Sequence, residues 1–206
     1  MKSRGRHWDE LFSAKEESQL GWYEHDPART LEMLGRVPGW EGSTVMIPGA
    51  GTSVLVDELL ARGCRLILND VSREALDRLR ARLGERAGEA VWLCCDISRP
   101  LPEDLPPVDL WIDRAVLHFL CEEAEIAGYF ENVRHLLRPG GHALFAEFST
   151  RGATQCAGLP IHRYGVEELD RRLGEGFRRI DQFDHTYINP RGEPREYLYA
   201  LYRRER

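Results

Sequence analysis

Thr44-Val45-Met46-Ile47-Pro48-Gly49-Ala50-Gly51-Thr52-Ser53 reads as a short apolar strand running into a glycine turn. Val54-Leu55-Val56-Asp57-Glu58-Leu59-Leu60-Ala61 follows as a helix closed by Gly63. Two glycines one residue apart let the backbone bend tightly and approach a bulky ligand where a Cβ would collide. The same turn sets the helix N-terminus, with its unpaired N–H groups, beside that ligand. Taken alone, the pattern fits either a plain turn or a nucleotide-type site. A second apolar strand, Leu66-Ile67-Leu68-Asn69-Asp70, ends in an acid 19 residues after Gly51. A carboxylate there can accept hydrogen bonds from both hydroxyls of a ribose. Val54 stands where dinucleotide sites usually carry a third glycine, which argues for a nucleoside ligand without a pyrophosphate. A nicotinamide-dependent oxidoreductase is correspondingly disfavoured.

Downstream, strands and helices alternate. Ser72 caps a helix with Glu74 in its first turn, and Leu76, Leu79 and Leu83 form its apolar stripe up to Gly84. Val91–Asp96 is expected as a third buried strand and Val108–Asp113 as a fourth, each ending on an acid. A helix over residues 122–137 presents Ile126, Phe130, Val133 and Leu137 on one face, and Arg138-Pro139-Gly140-Gly141 stops it. Ala143–Phe148 is the fifth strand, Val166–Leu173 the last helix, and strands near 177–187 and 196–202 flank Asn189-Pro190-Arg191-Gly192. That last pair has a turn and no helix between its members, so it forms an antiparallel hairpin. The expectation is an α/β, Rossmann-like sheet of seven strands with helices on both faces, mostly parallel, ending in that hairpin.

Residues 1–40 form an N-terminal helical arm before a core spanning 41–206, the whole being one domain. Asp26 caps a helix with Pro27 in its first position, Leu31 and Leu34 face the core, and Gly35 ends it. Trp8, Phe12, Trp22 and Tyr23 make the arm unusually aromatic. They either staple it to the sheet or act as a lid whose rings close over a cationic ligand.

The 206 residues suit a single domain, and a net charge of −6 argues against sequence-independent nucleic-acid binding. No run approaches the roughly 18 apolar residues of a membrane span, and the basic start leads into no signal core, so a cytoplasmic protein is expected. The cysteines are five, Cys64, Cys94, Cys95, Cys121 and Cys156, without CxxC spacing, and the histidines show no HxxxH or HExxH. A metal site is not expected; Cys64, Cys94 and Cys95 read mostly as buried small hydrophobes, and Cys156 as a pocket-lining residue.

Three acids at successive strand ends, after a GxG turn and before a terminal hairpin, with Leu137-Arg138-Pro139-Gly140-Gly141 ahead of the fifth strand, resemble class I S-adenosylmethionine-dependent methyltransferases. The resemblance covers nearly the whole chain. Asp113-Arg114-Ala115…His118-Phe119-Leu120 and Cys156-Ala157-Gly158-Leu159-Pro160…Arg163-Tyr164 look like a bacterial branch of that superfamily, and Trp8…Trp22-Tyr23 resembles the opening of protein-lysine methyltransferases. The resemblance implies S-adenosyl-L-methionine as cofactor and S-adenosyl-L-homocysteine as product. It places Gly49, Ala50, Gly51 and Thr52 against the amino-acid end, Asp70 on the ribose and Val71 beside the adenine. Asp96 accepts from the adenine amino group and Ile97 offers a main-chain N–H. Asp113 and Arg114 lie beneath the methionine portion, and Trp8 and Trp22 close over the cofactor. The family usually has an acid two residues before the first glycine; this chain has Ile47.

Methyl transfer from a sulfonium is an in-line displacement that chiefly needs alignment. A base matters only if the acceptor arrives protonated. His118, five residues past the fourth strand, is either that base or a packing residue, and Asp113 and Tyr23 are the other candidates to face the reacting atoms. The expected acceptor is a small-molecule nucleophile. The alternatives are a protein lysine, or a protein that binds the cofactor without catalysis. A monomer or homodimer is expected.

Overall fold

The computed structural model describes residues 4–206; the first three residues of the expected arm lie outside them. The arm comprises α1 (Arg4–Ala14), a 3-10 turn over Glu17–Gln19 and α2 (Ala28–Leu34). β1 (Thr44–Ile47), α3 (Leu55–Ala61), β2 (Arg65–Asp70), α4 (Arg73–Leu83) and β3 (Ala90–Cys94) follow. Next come β4 (Val108–Arg114), α5 (Glu123–Leu136), β5 (Leu137–Phe148) and a short hairpin of β6 (Gln155–Cys156) and β7 (Leu159–Pro160). α6 (Val166–Leu173), β8 (Phe177–Ile188) and β9 (Pro194–Arg204) complete the chain.

Seven strands form one sheet in the order β3-β2-β1-β4-β5-β9-β8. The first five are parallel, and β9 runs antiparallel to both β5 and β8. From β1 the chain moves outward to β2 and β3, then returns to β4 on the other side. The loops after β1 and β4 therefore part, opening a crevice at the carboxyl ends of the strands. Side chains alternate across this sheet with a period of two. Val45, Ile47, Leu66, Leu68, Leu110 and Ile112 enter one core cluster, while Met46, Ile67 and Trp111 enter the other. Both faces are covered, so the central strands are apolar throughout, as parallel strands must be.

Two expectations need correction. The third strand is not buried: it is the sheet edge, with Val91 44% exposed, Cys94 exposed and Cys95 half-buried. An edge strand has one neighbour, so its apolar run does not imply full cover. β5 also starts earlier than Ala143. Leu137 pairs with Val108, and the register then shifts across the Pro139-Gly140-Gly141 stretch before His142 pairs with Leu110. A side chain at Gly141 would meet the Arg138 and Asp109 carbonyls at 2.9 Å, which is why this bulge carries glycine. The small β6–β7 hairpin had no alternating pattern to announce it; Ala157 and Gly158 turn it with φ of 53° and 76°, both left-handed.

A polar knot sits under the ends of β4 and β5. Trp111 donates its indole N–H to the Tyr129 hydroxyl at 2.8 Å, and that hydroxyl donates to Asp113 Oδ2 at 2.5 Å. Asp113 also accepts from the backbone N–H groups of Val116 (3.1 Å) and Leu117 (3.2 Å). It thereby shapes the turn in which Ala115 holds a φ of 68°. Removing the Tyr129 hydroxyl strands a buried donor and a buried acceptor together. Tyr129→Phe is expected to cost about 1–3 kcal/mol in urea unfolding.

Candidate active site

Two adjoining cavities open along the carboxyl ends of β1, β2 and β4, sharing Trp22, Gly49, Gly51 and Arg114. The first is about 660 Å³ and contains Asp70, Val71, Asp96 and Ile97 in its wall, with Trp8 and Trp22 from the arm. The second is about 600 Å³ and is bounded by Tyr23 and Glu24 from the arm, Ala50 and Thr52 from the glycine turn, and Arg114.

The glycine turn works as its sequence suggests. Gly49 and Gly51 have φ of 53° and 51°, in the left-handed region that glycine enters without strain. A Cβ at Gly49 would lie 2.2 Å from Val116 Cγ2, so the turn after β1 fits tightly against the one after β4. A Cβ at Gly51 would project between the Phe12 ring (3.5 Å) and Asp70 Oδ2 (4.0 Å), into the cavity itself.

Asp70 is 6% exposed and joins two loops: Oδ2 accepts from the Gly51 N–H at 2.9 Å and Oδ1 from the Ser72 N–H at 2.8 Å. Burial pushes its pKa up to about 6, partly offset by those N–H groups. Asn69 holds the loop after β3 in place, donating to the carbonyls of Leu93 (3.2 Å) and Cys95 (2.9 Å). In that loop Asp96 Oδ1 accepts from the Ser98 N–H (2.9 Å) and hydroxyl (2.7 Å). Its other oxygen lies 3.5 Å from Arg4, which is bound at 2.8 Å to both oxygens of Glu125.

The arm is stapled down, and its Trp8, Trp22, Tyr23 and Glu24 stand in the cavity walls. Asp9 accepts from the Ser72 hydroxyl (2.7 Å) and the Glu74 N–H (3.1 Å), adding a second cap to α4. Phe12 and Leu20 pack on Ala75, and Trp8 meets Trp22 and Phe119 edge to face at 5.3 and 4.8 Å. The Tyr187 hydroxyl, at the far end of β8, donates to the Tyr23 carbonyl. The cation that aromatic rings do enclose is the protein's own. Arg114 stacks on Tyr187 (5.3 Å) and Tyr197 (5.4 Å) and donates from Nη1 to the Trp22 carbonyl at 3.0 Å.

Two of the expected catalytic residues are misplaced for that role. Asp113 is fully buried in the polar knot below the cavities and lines neither of them. Its carboxyl is held well above the usual range by burial and by Glu147, and its oxygens are spent on the turn. His118 is likewise fully buried, packed on Phe119 and Phe148, with Nδ1 2.6 Å from Glu147 Oε2. Burial lowers the pKa of His118 and raises that of Glu147, disfavouring the charged form of each. Five residues past a strand end is a short distance in sequence, but the 3-10 turn over Leu117–Phe119 swings the ring behind β5. Tyr23 is the one catalytic candidate at a cavity wall.

Glu24, Arg4 and Phe12 belong to the site and carried no recognisable spacing. Glu24 gave the better signal, an acid next to an aromatic pair in a segment otherwise read as a lid. Cys156 is half-buried, with its thiol pushed up to about 11 by burial, so it is not an activated nucleophile. Among the described residues no group of three or more His, Cys, Asp or Glu side chains is placed to hold a metal ion.

Residues 48–143 match the family model of a methyltransferase domain. Nodulation protein S of Rhizobium tropici is 32% identical over 97 residues, 47% of this chain and 40% of that protein, so the chain spans well under half the length of this relative. The structure of the N-methyltransferase NodS from Bradyrhizobium japonicum, in complex with S-adenosyl-L-homocysteine, is similar with a TM-score of 0.70 and 21% identity, covering 97% of this chain and all of that one. The 1,6-didemethyltoxoflavin-N1-methyltransferase of Burkholderia thailandensis is similar with a TM-score of 0.62 and 19% identity, covering 100% of this chain and 92% of that one. At these identities the structural likeness is one of fold. The matched segment holds the glycine turn, Asp70, Asp96 and Arg114, and over its full length the chain has the fold of these methyltransferase structures.

Proposed function

We propose that this protein transfers a methyl group from S-adenosyl-L-methionine to a small-molecule nucleophile, releasing S-adenosyl-L-homocysteine. The observation that carries the reading is the paired cavity, which runs from the buried Asp70 carboxylate past two left-handed glycines to the charged pair Glu24 and Arg114. The chain's residues fit the cofactor. A side chain at Gly51 would fill the space beside Asp70, and Asp70 keeps lone pairs free for ribose hydroxyls after accepting its two backbone N–H groups. Asp96 and Ile97 border the adenine end, with Trp8 and Trp22 as its roof.

When bound, the cofactor supplies a methyl group on a positively charged sulfur, already activated toward displacement. The protein aligns and excludes water. The arm closes the cavity on one side, and a third opening lined by Tyr23, Glu24, His25, His185 and Tyr187 lies at the hairpin end, sharing Tyr23 and Glu24 with the second cavity. We assign the acceptor to that opening, between the arm and the end of β8. The toxoflavin N-methyltransferase, whose structure holds 1,6-didemethyltoxoflavin, supports a small acceptor by analogy. The buried His118 takes no part in proton removal. Orientation carries the rate, and a neutral nucleophile needs no base from the protein.

Calorimetry with S-adenosyl-L-methionine, S-adenosyl-L-homocysteine and NAD tests the cofactor. Binding of the first two and not the third is expected, and binding of NAD alone would overturn the reading. A radiolabelled-methyl assay on cell extract divided into small molecules and proteins should place the label in the small-molecule fraction.

Asp70→Ala is expected to weaken S-adenosyl-L-homocysteine by about 1–3 kcal/mol. The wild-type affinity should hold steady above pH 6 and decline below it. The ligand needs the carboxylate form, and Asp70 takes up a proton as pH falls through about 6. Titrations from pH 5 to 8 check this, and the variant should lack the decline.

His118→Asn should lower the melting temperature, because it disturbs a buried partner of Glu147, while leaving kcat within about threefold, a change of under 1 kcal/mol in the barrier. A hundredfold loss of kcat with unchanged stability would restore His118 as a catalytic group.

A further inference from the structure

Ile47 sits where the family usually places the acid that meets the methionine end of the cofactor, so that the wall contributed by β1 carries no charge there. Ile47, Pro48, Leu55 and Ile112 line it around the glycine turn. Among the described residues, Glu24 and Arg114 are its charged side chains. They come from distant parts of the chain, the arm and the end of β4. Arg114 Nε lies 3.0 Å from Glu24 Oε2, and both side chains are 13% exposed. The approach is oblique enough that Nε has no hydrogen-bond acceptor, although it is buried. An ion pair this enclosed, with a guanidinium N–H left unmet, is costly unless something else completes it.

An α-amino acid completes it. Its carboxylate is attracted by the guanidinium charge, and its ammonium matches a carboxylate. We infer that Glu24 and Arg114 form a clamp for the amino-acid end of the cofactor, with Glu24 of the arm taking the ammonium in place of an acid on β1. The inference rests on the cofactor reading above and deepens it. It makes the arm part of the binding site rather than a cover. Tyr23, the residue before Glu24, is tied through its carbonyl to Tyr187, and Trp22 through its carbonyl to Arg114 itself. The carboxylate is therefore delivered only when the arm is docked.

The test compares ligands that differ at the clamped end. S-Adenosyl-L-homocysteine, its analogue lacking the α-amino group, and 5′-deoxy-5′-methylthioadenosine, which lacks the whole amino-acid end, are titrated into the wild type and Glu24→Gln by calorimetry. Glu24→Gln should weaken S-adenosyl-L-homocysteine about 10–100-fold, the scale of one charge-assisted hydrogen bond. It should leave the desamino analogue and methylthioadenosine within about twofold, since neither meets the substituted group; the effect would then be additive for them and coupled for the full ligand. Retained methylthioadenosine binding also shows that the variant is folded. Equal weakening of all three ligands would make Glu24 a structural support of the arm and overturn the clamp. Undiminished S-adenosyl-L-homocysteine binding would overturn it too. Failure of the wild type to bind any of the three would overturn the cofactor reading, and the clamp with it.

Discussion

The Asp70 carboxylate is the point on which the site depends. One oxygen holds the Gly51 N–H and the other the Ser72 N–H, so the turn after β1 and the start of α4 are fastened to a single side chain. Both loops would otherwise be free to move at the crevice where the strand order reverses. Burying this group has a cost that shows as its raised pKa, and two backbone donors offset only part of it.

The same logic extends to the arm. Its attachment is distributed: Asp9 caps α4, Phe12 and Leu20 pack against Ala75, and Tyr187 reaches across from the hairpin to the Tyr23 carbonyl. Arg82 fastens the other side, donating to the carbonyls of Thr52 (2.6 Å) and Ser53 (2.8 Å) and pairing with Asp57 at 2.8 Å and Glu17 at 3.4 Å. Each contact alone is modest. Arg114 is enclosed by Glu24, Trp22, Tyr187 and Tyr197, and its buried charge persists because the tyrosine hydroxyls and Glu24 outweigh the effect of burial.

The acids at the ends of β2 and β4 look alike in sequence and differ in use. Asp70 has its carboxylate at the wall of a cavity, whereas Asp113 has turned inward to bond Tyr129 and the N–H groups of Val116 and Leu117. An acid at a strand end serves a ligand or a turn equally well by its chemistry. The choice between them follows from which way the backbone leaves the strand. After β4 it takes a left-handed step at Ala115, and the carboxyl of Asp113 is drawn under it.

Local sequence determined the order of elements, the glycine turn, the cap at Ser72 and the terminal hairpin, because each rests on neighbouring residues and on a periodicity of two or 3.6. It also placed Asp70 and Asp96 at a common end of the sheet, since strand ends in a parallel sheet converge by topology, while Val71, Ile97, Arg114 and the two tryptophans came from the family resemblance. It could not reveal that β3 is the exposed edge or that β5 begins in a bulge; both depend on which strands become neighbours. Nor could it separate the cavity-facing Asp70 from the buried Asp113 and His118, or connect Glu24 with Arg114 across 90 residues of chain. Those outcomes were decided by tertiary structure, because burial and charge pairing are properties of the space between elements, and no single segment carries that space within itself.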